Sequence, residues 1–272
     1  MSGKAGYSGD GTHGPALIEG ITTALSWLTV FPVQGASTFD RVTGARAMAG
    51  LPVAGLALGL TSAVIAYPLL AFGTHEFLVA ALTVIAWELG SRMMHIDGLS
   101  DVGDALGSYA PPEKAQEILS DRYTGALGMG AVLLTLLAQV AGLTALYHWG
   151  PIAAVLAASI PMLARACATI GCHSSFSPFS ATGFGALIIG TVKAWWVVAW
   201  VVAIGVAVVL VAVGVDKQLA WGAVAACLTT PLATLLLIRH CSRRFNGLNG
   251  DCIGAAIEVG AAVAAVTLGI AS

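Results

Sequence analysis

The stretch HIDGLSDVGDALG sets Asp97, Asp101 and Asp104 at i, i+4 and i+7. On an α-helix those positions share one face. Three stacked carboxylates repel one another, and beside hydrocarbon each costs about 2.5–3.5 kcal/mol on insertion scales, so the pattern calls for a compensating cation. Oxygen-only donors suit a hard divalent ion such as Mg²⁺, which takes a few carboxylates, several waters and the phosphate oxygens of its substrate. The interleaved Gly98, Gly103 and Gly107 are expected to let a bulky phosphorylated ligand approach the backbone. Each also weakens the helix, by about 0.8–1.0 kcal/mol relative to alanine. A solvated turn with helix-capping acids is the plainer alternative; it suits one aspartate better than three in register.

Further acids and bases are expected at the same face. Asp121, in SDRYTGALG, either caps the helix that follows or joins the cluster. Asp251, in RRFNGLNGDCIGAAIE, follows a tight polar turn built from Asn246, Gly247, Asn249 and Gly250. Arg165 and Arg244 are the favoured phosphate-holding forks among Arg165, Arg239, Arg243 and Arg244, although membrane topology alone would also place these basic groups there. His95 either orients or deprotonates a hydroxyl, or is simply hydrogen-bonded to backbone. Glu88 is expected to pair with Arg92 at i+4. The five cysteines are an odd, scattered set without CxxC spacing, which argues for core filling over disulfides or a thiophilic metal.

The elements that must carry these groups are hydrophobic helices. The 272 residues are 57% hydrophobic and 10% charged, with a formal net charge of -2, and the mean hydropathy is +0.87. That composition excludes a disordered chain, a nucleic-acid binder and an ordinary soluble domain. A span needs roughly 20 apolar residues. Seven such stretches occur, near Ala47–Phe72, Phe77–Met94, Gly125–Tyr147, Ile152–Gly171, Trp195–Val215, Leu219–Ile238 and Cys252–Ile270. The fold class is therefore all-α, a polytopic membrane bundle of about seven spans. Pro15 to Pro32, interrupted by Glu19, is too short to cross and reads as an interfacial or re-entrant helix. Residues 1–14 read as a flexible leader without a signal-peptide pattern, and 15–272 as one membrane-embedded catalytic domain.

With the amino terminus in the cytoplasm, 11 basic residues fall on that side and only Lys217 opposite. All five aspartates then meet at the cytoplasmic face, and the polar segment HSSFSPFSATGFG is a loop on the same side that closes over substrate. Trp195, Trp196 and Trp200 read as an interfacial aromatic belt.

Four segments resemble motifs of the cobalamin synthases, the adenosylcobinamide-GDP ribazoletransferases of the bacterial inner membrane: ALSWLTVFPV, HIDGLSDVGDALG, SDRYTGALG and NGDCIGAAIE. The resemblance covers nearly the whole chain, and its acidic and closing motifs together are specific. It implies a Mg²⁺-dependent reaction in which a hydroxyl of α-ribazole, or of its 5'-phosphate, attacks the cobinamide-proximal phosphate of adenosylcobinamide-GDP and expels GMP. Asp97, Asp101 and Asp104 match the acidic signature, Asp121 the next element and Asp251 the closing one. All five are assigned as metal ligands, the first three also as catalytic with His95, while Arg165, Arg244, Asn246, Asn249, Gly98 and Gly103 are assigned to substrate. The partners implied are those two substrates and the lipid bilayer; self-association into a homo-oligomer is left open. Where the family often has glycines before its His-x-Asp-Gly, this chain has Arg92, Met93 and Met94, and Arg122-Tyr123 stands where Ser-Arg is common.

Two other readings compete. A transporter or channel would use acids to line an ion path, but here they gather at one face. A CDP-alcohol phosphotransferase would have an alanine-arginine pair after its Asp-Gly, whereas Asp97-Gly98 leads to Leu99-Ser100-Asp101.

Overall fold

The computed structural model describes residues 13–121 and 123–271, so the flexible-leader reading of residues 1–12 lies outside the described residues. Helix α1 (Ala16–Leu28) is a short apolar helix, as Pro15 to Pro32 suggested. Its one interrupting acid, Glu19, is buried but accepts from the Gly14 N–H at 2.5 Å and pairs with Arg46 and His13, each at 3.1 Å. Helix α2 (Arg41–Ala71) starts where the Asp40 side chain accepts from the Thr43 N–H at 2.8 Å, an N-cap that satisfies one orphan donor.

Among the described residues, six helical segments have the length and hydropathy to cross a membrane. They are α2, α6 (Ala126–Tyr147), the segment Ile152–Cys172, α10 (Ala194–Val213), α11 (Lys217–Arg244) and α12 (Gly250–Ile270). Ile152–Cys172 comprises α7 (Ile152–Ala157), α8 (Ser159–Ala168) and a closing 3-10 turn. The expected second span is different. Helix α3 (Glu76–Gly90) stops after 15 residues, and α4 (Met94–Gly107) leaves it at 92°. The break is a Schellman motif: Met93 N–H bonds to Glu88 C=O at 2.8 Å and Arg92 N–H to Leu89 C=O at 3.1 Å, with Arg92 (φ 58°) and Met93 (φ 56°) left-handed. Six spans plus this bent pair make up the bundle.

The same turn overturns the Glu88–Arg92 pair. The left-handed backbone swings Arg92 outward, where its guanidinium donates to the Trp27 carbonyl, while Glu88 stays buried in the bundle near Glu258 and Arg165.

Helix α12 is the central post. Its Ala- and Gly-rich surface lets α4, α6, α8 and α11 pack closely around it, as bundles in lipid require. Trp196 and Trp200 of α10 do more than mark an interface, because both Nε1–H groups donate to the Ala49 carbonyl of α2, at 3.1 and 3.3 Å. All five cysteines are free thiols. The short helices α5 (Pro112–Leu119) and α9 (Phe184–Ile188) lie in the connections. Helix α11, about 42 Å long at 1.5 Å per residue, separates Lys217 at one end from Arg239, Arg243 and Arg244 at the other.

Candidate active site

Helix α4 packs over the first turns of α6 and α12 at one end of the bundle. Two close approaches fix it there. A Cβ on Gly98 would stand 2.9 Å from Asp251 Cα, and one on Gly103 would stand 2.8 Å from Ala131 Cβ and 3.1 Å from Gly128 Cα. These glycines were expected to admit a ligand to the backbone. They admit neighbouring helices instead, because the space above each is filled by α12 or α6.

That packing brings the five aspartates together. The Asp101 carboxyl is pushed up to about 7, first by burial and then by the charges of Asp251, Asp97, Asp104 and Asp121. Both effects disfavour the ionised form. None of the five makes an ion pair among the described residues. They do not form a ready-made cage: no three His, Cys, Asp or Glu groups among the described residues sit closely enough to hold an ion by themselves.

Individual placements differ. Asp97 is exposed, and Asp101 and Asp251 are half-buried. Asp104 accepts from the N–H groups of Gly125 at 2.6 Å and Gly128 at 2.8 Å, so it caps α6, the role that had been one of two open to Asp121. Asp121 is exposed and accepts from the Tyr123 N–H at 3.3 Å. Asp251 lies in the first turn of α12 and accepts from Asn249 Nδ2 at 2.5 Å, while Asn249 Oδ1 accepts from the Cys252 N–H at 3.1 Å. Asn249 therefore both caps α12 and orients the carboxylate. The positive ends of α6 and α12 lie at this cluster, favouring anions there.

A cleft of about 490 Å³ opens beside the cluster. Its walls include His95 and Asp97 from α4, the Asn249-Gly250-Asp251 entry to α12, and the segment from Pro178 to Ala186. The polar segment after α8 thus faces the acids, as its composition suggested. It is tied down by a two-bond bridge, Phe179 N–H to Leu248 C=O at 3.1 Å and Leu248 N–H to Ser177 C=O at 3.0 Å. Gly247 makes this possible: its φ is 143°, and a Cβ would stand 2.6 Å from Phe179 N. Phe179 and Phe184 of the cleft wall were not singled out from the sequence; aromatics in a Ser/Gly-rich loop were the available signal.

Behind the cleft wall lies a polar group that hydropathy alone does not reveal. Arg165, expected as an open phosphate fork, is only 3% exposed and has protein partners: the Pro161 carbonyl at 3.3 Å and His95 Nδ1 at 3.3 Å. Glu258 stands 3.8 Å from His95 Nδ1 and accepts from Gln139 Nε2 at 2.9 Å. Gln139, a lone amide in an apolar span, was also missed. Arg244 donates to the Ala110 carbonyl at 3.1 Å, and exposed Asn246 (φ 51°) shapes the turn before α12 without lining the cleft.

Comparison with known proteins bears on this arrangement. The family model described as cobalamin-5-phosphate synthase matches residues 20–269. A Corynebacterium efficiens protein named adenosylcobinamide-GDP ribazoletransferase is 51% identical over 272 residues, covering 100% of this chain and 98% of its own. Its namesake from Corynebacterium diphtheriae is 43% identical, covering 99% and 98%, and that from Frankia casuarinae is 35% identical, covering 88% and 90%. No solved structure matches the chain. With the match running through the acidic helix, the cleft loop and the entry to α12, the chain belongs to the cobalamin-5-phosphate synthase family.

Proposed function

We propose that this membrane enzyme of late cobalamin biosynthesis transfers the adenosylcobinamide-phosphate group of adenosylcobinamide-GDP to a hydroxyl of α-ribazole or α-ribazole 5'-phosphate, with Mg²⁺, at the cytoplasmic face of a bacterial inner membrane. The observation that carries the reading is the convergence of Asp97, Asp101, Asp104, Asp121 and Asp251 on one rim of the bundle without a cationic partner among the described residues. An uncompensated, all-oxygen set of this kind fits a hard divalent cation. Asp97, Asp101 and Asp251 are the groups that would hold it, with Asp121 beside them and Asp104 acting mainly through its hold on α6. When bound, the cation supplies charge neutralisation at the phosphate oxygens.

The chain's own groups do the rest. Asn249 orients Asp251, the start of α12 favours a phosphate beside it, and the Phe179–Phe184 wall shields one side of the cleft from water. The hydroxyl oxygen of ribazole bonds to the cobinamide-proximal phosphorus, the bond from that phosphorus to the bridging oxygen breaks, and GMP leaves with that oxygen. The basic residues gathered at the end of α11 near the acids, against Lys217 at the other, support this orientation.

The test is GMP release from adenosylcobinamide-GDP and α-ribazole by the purified protein, with and without Mg²⁺. Asp101→Asn should lower Mg²⁺-dependent release at least about 100-fold. Near-normal turnover in a well-folded Asp101→Asn protein would overturn the assignment.

A further inference from the structure

His95 is the one histidine lining the cleft, and its two ring nitrogens have different surroundings. Nδ1 lies 3.3 Å from Arg165 Nη2 and 3.8 Å from Glu258 Oε1. Arginine carries only donors and keeps its charge, so the shorter contact requires a lone pair on Nδ1. The carboxylate, at 3.8 Å, is beyond hydrogen-bond reach. An imidazole whose Nδ1 accepts is neutral and carries its proton on Nε2. That nitrogen, the ring nitrogen not bonded to Arg165, is buried and has no partner among the described residues. A buried donor left unpaired costs about 1–3 kcal/mol, so such groups are rare away from places where a ligand or water completes them.

The groups around this contact come from five helices. Gln139 of α6 holds Glu258 of α12 at 2.9 Å. Glu258 and Glu88 of α3 lie near Arg165 of α8, and Arg165 meets His95 of α4. All five side chains are buried, so the arrangement is held by packing and exchanges little with solvent.

We propose that Arg165, held by burial and by its bond to the Pro161 carbonyl, locks His95 in the Nε2–H tautomer, making His95 a hydrogen-bond donor to a phosphate oxygen of the bound nucleotide substrate and not the base for the attacking hydroxyl. The role of His95 toward substrate rests on the transfer reading given above; the tautomer does not. Arg165 is a positioning residue: it acts on the phosphate through the imidazole. The proton of the attacking hydroxyl leaves to another group or to water.

The test uses full-length protein in nanodiscs, labelled with ¹⁵N at histidine. Two-bond ¹H–¹⁵N spectra report which nitrogen of each imidazole is protonated, and the His95 signals are identified by their loss in His95→Gln. A bare Nδ1 and protonated Nε2 are expected at His95, and Arg165→Gln should abolish that preference. In GMP release, His95→Gln, which restores an N–H donor, should stay within about tenfold of wild type while His95→Ala falls about 100-fold or more. A protonated Nδ1, an imidazolium, or equal losses in the Gln and Ala variants would overturn the proposal. The spectrum of the wild-type protein needs no turnover, so a wild type that releases no GMP would sink the transfer reading alone.

Discussion

Gly98→Ala should damage the site by separating two helices while leaving both folded. The new Cβ would stand 2.9 Å from Asp251 Cα, 2.9 Å from its carbonyl oxygen and 3.3 Å from its carbonyl carbon. Ordinary heavy-atom contact is about 3.5–4.0 Å, so α4 and α12 must part by roughly half an ångström or more. The opposing atoms are backbone, which leaves no rotamer change to absorb the clash. Overpacking costs about 1–3 kcal/mol, and alanine returns up to about 1 kcal/mol in helix propensity. The net loss of about 0–2 kcal/mol is survivable for a fold of ordinary stability. The shift moves Asp97 and Asp101 relative to Asp251. Because a misplacement of about 1 Å can cost about 100-fold in rate, we expect Mg²⁺-dependent GMP release to fall about 10- to 100-fold, mainly in kcat. Thermal unfolding in the same detergent measures the stability change. Gly130→Ala is the matched control, since a Cβ there meets nothing within 4 Å and activity should be unchanged. Wild-type turnover and stability in Gly98→Ala would refute the claim that this close approach sets the carboxylate geometry.

Other perturbations probe separate parts of the rim. Asp104→Ala removes the acceptor for Gly125 and Gly128 N–H and should lower stability by about 1–2 kcal/mol, with Asp104→Asn recovering part of it in a melting curve. Asp101, raised from 3.8 to about 7 in the fold, retains a proton that the unfolded chain releases, so without divalent cation stability should fall as pH rises from about 4 to 7. Melting temperatures across that range should show this slope, Asp101→Asn should flatten it, and Mg²⁺ should restore stability above pH 7. Gly247→Ala meets Phe179 N at 2.6 Å with a φ of 143°, so it should release the cleft wall and raise KM for the nucleotide substrate, measured in the GMP assay.

The acidic register was legible because helix periodicity is a local property: Asp97, Asp101 and Asp104 needed only an α-helix under them to share a face. Most of the spans were legible for the same reason, through runs of apolar residues. The break between α3 and α4 was not, since Phe77–Met94 is predominantly hydrophobic despite Glu88, Ser91 and Arg92 and contains no proline, and hydropathy records composition without direction. Arg92 and Met93 take left-handed conformations where the motif usually has glycine, so the turn lacks its usual marker. That one miss produced the mistaken Glu88–Arg92 pair. The glycines of α4 were read as room for a ligand because one sequence cannot show that α12 and α6 occupy the space. Arg165 looked like an interfacial cation near a span end; its burial depends on Glu88, Glu258 and His95 from three other helices, a coincidence visible only in three dimensions.

The bridge between Phe179 and Leu248 joins the lip of the cleft to the strip of chain that enters α12 only three residues before Asp251. Lip and charged floor therefore share one mechanical connection. Under the proposed transfer, a ligand that pressed the mouth wider would also tug on the carboxylate inside, tying admission to alignment.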